Sequence, residues 1–195
     1  MNGLQQVRRG QLLKTGQVTQ YGGQLDDGYH EKGLAKSYTI LTTGQYSGTT
    51  NITLNAKTDA HSNNCVVDNV TRLMWSRYAS ASVGPTSNGL LPWTTNGSGE
   101  GIFAYAAAAN TASLAGYSDW RVPNIYELYS LCDFEATTAA PDATAFPSFS
   151  TSRSTWTATT GPNLTTGAMF SLFNSGSVSR QDKALTGLVL LVRGG

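Results

Sequence analysis

The residues of this chain point to an α+β domain: a small twisted antiparallel sheet with two helices, strands towards both chain ends, and long loops between the late strands. Three observations support this. Only 13% of residues are charged while Gly, Ser, Thr and Asn abound, which suggests short strands and long turns under a surface of hydroxyls and amides. The 39% hydrophobic and 10% aromatic content excludes disorder, and 195 residues suffice for one domain with a core of its own. Helix signals occur only in the middle, flanked on both sides by β-branched or alternating apolar runs.

Residues 1–33 read as an N-terminal arm, polar over 1–11 and then turn-rich, with Gly16, Gly22, Gly23 and Asp27-Gly28 as punctuation. Residues 34–60 read as a β-hairpin insertion. Tyr38, Ile40 and Leu41 stand on one side of "GQYSG", and Ile52 and Leu54 on the other. The main domain follows over 61–195. "CVVDNVTRLMW" gives a strand, a turn at Asp68-Asn69 and a second strand ending in Trp75. A long loop comes next, anchored by Leu90, Leu91 and Trp93.

"IFAYAAAANTASL" has strong helix propensity and an expected apolar face of Phe103, Ala106, Ala107 and Leu114, interrupted by Asn110. The second helix announces its start: Asn124 as cap, Glu127 three residues later closing a capping box, and Ile125, Leu128, Leu131 and Cys132 as the stripe. "AMFSLFNSGSVSRQ" alternates about a turn at Asn174-Ser175-Gly176, and "LTGLVLLVRGG" is an apolar strand buried on both faces.

Net charge is +1 and the only adjacent basic pair is Arg8-Arg9, so nothing tracks a phosphate backbone and nucleic acid is not an expected partner. No stretch is long enough to insert in a bilayer, and no apolar run near Met1 resembles a signal peptide, so synthesis in a cytoplasm is expected. Cys65 and Cys132 read as buried small hydrophobes rather than a bridge. His30 and His61 offer no triad or zinc spacing, and "GSGEG" at 97–101 follows no strand and holds no P-loop lysine. Asp119, Glu127, Asp133 and Glu135 are close in sequence. However, Glu127 is needed for the cap, Asp133 and Glu135 fall at a helix end, and Asp119 suits an ion pair or turn cap. Neither catalysis nor a metal or cofactor is expected.

"VVDNVTRLMW", the alanine-rich helix, "LAGYSDWRVPNIYELYSL", "STWTAT", "FNSGSV" and "VRGG" occur in that order. Together they resemble the Lcl C-terminal-domain family over roughly residues 64–195. The resemblance implies a C-type-lectin-like fold whose two ends meet in one sheet. It also implies that Asp119, Trp120, Arg121 and Pro123 form a structural joint between the helices. Members on bacterial surfaces and in phage particles imply a binding role, in one case for sulfated polysaccharides. Relatives often carry an arginine where this chain has Leu190, which removes one charge that could meet an anionic glycan.

The expected function is therefore a non-enzymatic binding module, a phage receptor-binding or decoration protein that meets a cell-surface glycan or protein. The arm would dock on other virion proteins, and a homo-oligomer such as a trimer is expected. The ligand surface is expected in loops carrying Trp156, Thr157, Thr159, Asn163, Asn174, Ser177, Gln181, Asp182 and Lys183, short polar side chains around one aromatic. Two other readings are an enzyme related to formylglycine-generating enzymes, which needs Cys65 and Cys132 to converge, and a purely structural virion protein.

Overall fold

The computed structural model describes residues 12–22, 26–41, 53–54, 57–58, 65–77, 89–94, 99–135, 138–147, 149–163 and 165–194. Among them the elements are α1 (Asp27–His30), β1 (Tyr38–Leu41), β2 (Thr53–Leu54), β3 (Lys57–Thr58), β4 (Cys65–Asp68), β5 (Met74–Ser76) and β6 (Leu91–Pro92). There follow α2 (Ile102–Thr111), α3 (Ile125–Tyr129), β7 (Thr155–Thr160), β8 (Gly167–Leu172), β9 (Ser177–Asp182), β10 (Thr186–Gly187) and β11 (Val192–Arg193). The protein is thus α+β, with antiparallel strand pairing and short helices.

The central sheet runs β1-β4-β5-β11, so an early strand and the last one share it. Its turn between β4 and β5 follows from Asp68, whose carboxylate accepts from Val70 N and Thr71 N at 2.8 and 3.2 Å. Side chains alternate across this sheet into two core clusters. Cys65, Met74, Val189 and Leu191 point into one, with Ile102, Tyr105, Trp120, Trp156 and Phe170. Val66, Trp75, Leu188, Leu190 and Val192 point into the other, with Leu128, Leu131, Phe146 and Phe173. Period-two alternation with both faces covered is why the final run reads as unbroken hydrophobics.

Leu190 is fully buried in the second cluster. Its side chain therefore has no route to a glycan, and the charge argument drawn from this position is corrected.

The second sheet is β7-β8-β9. β8 and β9 pair regularly from Gly167↔Asp182 to Leu172↔Ser177, whereas β7 slips register against β8 between Trp156 and Thr160. Gly176, at φ 66°, closes the β8–β9 turn and lies so close to Phe134 that a Cβ there would approach its ring to 2.5 Å.

Three expectations are corrected. Among the described residues β1 pairs with β4, and Tyr38 and Ile40 pack against the second cluster. Thr53–Leu54 pairs instead with Lys57–Thr58, and the "GQYSG" loop lies outside the described residues. On α2 the buried face is Ile102, Tyr105, Ala106 and Ala109, while Phe103 and Ala107 are exposed. Leu114 reaches the core from a separate 3-10 turn.

Part of the arm belongs to the domain. Lys14 N donates to Leu34 O, and Phe134 N to Thr15 O. Glu135 accepts from Val18 N, Thr19 N and Thr19 Oγ1 at 2.5–3.0 Å. The described residues of 12–36 form a strap across the domain; residues 1–11 lie outside the described residues.

Candidate ligand-facing loops and the joint beneath them

α3 begins where the sequence calls for it. Asn124 Oδ1 accepts from Glu127 N at 2.9 Å, and Glu127 Oε2 accepts from Asn124 N at 2.8 Å. Glu127 then performs a second task, because Arg121 donates to both its oxygens at 2.7 and 2.8 Å. Burial pushes the Glu127 carboxyl upwards, but the Arg121 and Asn124 hydrogen bonds outweigh it and hold the group below its usual value. The bonds to Glu127 raise Arg121.

Trp120 is 2% exposed and donates its indole N–H to Leu114 O at 2.8 Å. Asn110, the polar interruption in α2, brackets the Trp120 backbone: it accepts from Trp120 N at 2.7 Å and donates to Trp120 O at 2.9 Å. Arg121 and Val192 exchange backbone hydrogen bonds at 2.9 Å. Asp119 accepts two bonds from Arg193 at 2.6 and 3.1 Å, which hold its carboxyl below the usual range. The Arg193 guanidinium in turn stacks 3.6 Å from the Tyr117 ring. Pro123 is buried, and its carbonyl accepts from Ala158 N at 2.8 Å. These four residues thus tie α2, α3, β7 and the final strand together.

The candidate ligand residues divide. Trp156 and Thr157 are fully buried, a correction to their expected ligand-facing role. The Trp156 indole donates to Leu91 O at 3.0 Å and sits edge-on to Phe170, while Thr157 Oγ1 donates to Met169 O at 2.8 Å. Trp156 packs in the first cluster beside Phe170 and Thr157 is held against β8, so neither side chain reaches solvent. Thr159 serves α3, its hydroxyl accepting from Ile125 N at 3.1 Å.

Asn163, Asp182 and Lys183 gather at one end of the β7-β8-β9 sheet; Asn174 and Ser177 lie at the other, a six-residue strand or roughly 17 Å away. At the Asn174 end, Asn174 N donates to Thr151 O at 3.1 Å and the Ser175 and Ser177 hydroxyls share a 2.9 Å hydrogen bond. Gln181 is half-buried and accepts from Ser154 Oγ at 3.2 Å.

The Lys183 end is the better organised. Asn163 is exposed at φ 60°, and Asp182 accepts from Ala184 N at 2.8 Å. Lys183 Nζ lies 4.0 Å from the Trp93 ring centre and donates to Thr160 Oγ1 at 3.3 Å. Trp93 is itself pinned: its indole donates to Thr157 O at 2.7 Å, its amide donates to Lys183 O at 2.9 Å, and Phe103 meets it edge-on at 4.7 Å. From the sequence Trp93 reads only as a loop anchor. A tryptophan in a loop of Thr and Asn was the available signal for more.

Cys65 and Cys132 are free and lie in different core clusters. Burial raises the Cys132 thiol to about 11, far from a nucleophile's range. Between strap and domain lies a cleft of about 620 Å3, lined by Lys14, Glu31, Lys36, Tyr38, Asp133 and Asp142. Burial there lowers Lys36, which donates to the Cys132 and Thr15 carbonyls. No helix among the described residues is long and apolar enough to cross a membrane.

No curated protein matches this chain. The Lcl C-terminal domain model matches residues 64–193, most of the chain and all of the joint, and the protein belongs to that family.

Proposed function

We propose that this protein is a non-enzymatic binding module that meets a cell-surface glycan or protein through the sheet end bearing Asn163, Thr160, Asp182 and Lys183. The observation that carries the reading is the Lys183 ammonium, fixed over Trp93 among exposed hydroxyl and amide side chains. A cation already ordered on a rigid aromatic loses little freedom when it meets an anionic group. Short polar neighbours suit hydrogen bonding to sugar hydroxyls or peptide amides. A C-type-lectin-like fold is part of the proposal, supported by β1 and β11 sharing one sheet. So is a phage-particle setting, in which residues 1–11 and the strap adjoin other virion proteins.

The test is binding of purified wild-type protein to bacterial cells and to an array of their surface polysaccharides, beside Lys183→Ala and Asn163→Ala. A loss of about tenfold or more with unchanged melting temperature is expected for Lys183→Ala. Full binding by both variants would place the ligand surface elsewhere.

A further inference from the structure

β9 is an open sheet edge. Five of its six residues are exposed and Gln181 is half-buried. It pairs with β8 on one side and, among the described residues, with nothing on the other. Lys183 N donates to Thr166 O, and Gly161 N to Gly167 O, which fixes the alternation of the ladder. Ser177, Ser179 and Gln181 therefore turn their backbone groups towards β8. Val178, Arg180 and Asp182 turn theirs outwards.

Such edges are usually blocked by a proline, a bulge or an inward charge. β9 contains no proline and pairs with β8 without a register shift. It carries Ser179 and Gln181 on the face it shares with the core residues Ala168 and Phe170, while on the other face Arg180 lies across Gly161 and Gly167 and donates to Pro162 O at 3.3 Å. Its outward groups are a template for an added strand.

The sequence of β9 selects that strand. A two-fold antiparallel pairing of β9 with itself must set outward residues opposite outward residues, so its axis passes through a residue. An axis at Arg180 sets two arginines opposite each other, and one at Ser179 sets Val178 opposite Arg180. With the axis at Gln181, Arg180 of each copy lies opposite Asp182 of the other, twice, with backbone hydrogen bonds exchanged at both pairs. The same register brings Val178 against the turn holding Leu185, the two exposed apolar side chains here, at 37% and 54% exposure.

We propose that two copies of this chain associate through β9 about a two-fold axis at Gln181, joining their three-stranded sheets into one of six. The contact is small and belongs to the transient class, so association depends on concentration. It gives a two-fold pair rather than a trimer; it shares Asp182 with the proposed ligand-facing end, and its test reads association alone, without any ligand.

Sedimentation equilibrium of the full chain, over a wide concentration range, tests it. Wild-type protein is expected to dimerise, and Arg180→Asp or Asp182→Arg alone to weaken association about tenfold or more, since each creates two like-charge pairs. Mixing the two variants restores opposite charges at both positions, so the mixture is expected to form heterodimers although neither variant pairs with itself. That rescue excludes misfolding as the cause. A wild type that stays monomeric at every concentration, a dimer indifferent to both substitutions, or a mixture that fails to associate overturns the proposal.

Discussion

Truncating Trp120 to alanine removes a buried indole from the first core cluster together with its hydrogen bond to Leu114 O. Trp120→Ala is therefore expected to cost about 3–5 kcal/mol, read as a fall in the denaturant midpoint at constant slope. A variant of unchanged midpoint that had lost only binding would contradict the structural role. Neighbouring Arg121 works at the surface, so its pairing with Glu127 contributes far less than the tryptophan next to it. At this scale the sequence was legible where one residue has one local duty, as with the Asn124 cap. Trp156 was not, because an aromatic among threonines reads alike on an exposed strand and on one sandwiched between a helix and a core. Only its place in β7, beneath Leu91 and against Phe170, decides.

Short elements lean heavily on their ends. α3 has five residues, too few to be stable alone, so its reciprocal cap and the Thr159 hydroxyl on Ile125 N define it. Asn124→Ala is expected to cost about 1 kcal/mol, measured as a lowered melting temperature, with Asn124→Asp close to wild type. Element type was readable for α2 but its orientation was not. A run of alanines is equally apolar on every side, and Ile102 and Tyr105, which settle the face, come only in its first turns. The pairing of β1 with β4 was hidden for a similar reason. Neighbouring β-prone runs suggest a hairpin, yet Tyr38 and Ile40 are held by a cluster drawn mostly from residues 66–192.

Across the whole molecule, the strap begins outside the family match and still forms part of the folded unit. Deleting residues 1–33 strips Glu135 of its three donors and removes one wall of the cleft. The shortened protein is expected to fold with a lower melting temperature. The deficit should depend on pH in a known direction. Thr19 and Val18 hold Glu135 below its usual value, so the part of the strap's contribution that runs through Glu135 is complete above about pH 4.5, the unfolded value, and fades as pH falls through the lower folded one. The difference in melting temperature between the two proteins should therefore narrow from pH 7 to pH 3 without vanishing, since the Phe134–Thr15 bond does not titrate; a constant difference would show that Glu135 does not hold the strap.

The segment at 188–193 separates the two core clusters, bonds to Arg121 and Ser76, and carries the arginine that Asp119 engages. Ribosomes deliver it after every residue it touches. At roughly 5–20 residues per second, the stretch from Cys65 to Gly187 takes about 6–25 s to make, so the first core strands wait several seconds for the segment that packs on them. Both clusters are therefore expected to complete their packing only once this segment is available, and the incomplete chain is expected to expose β5 and the apolar faces beside it until then.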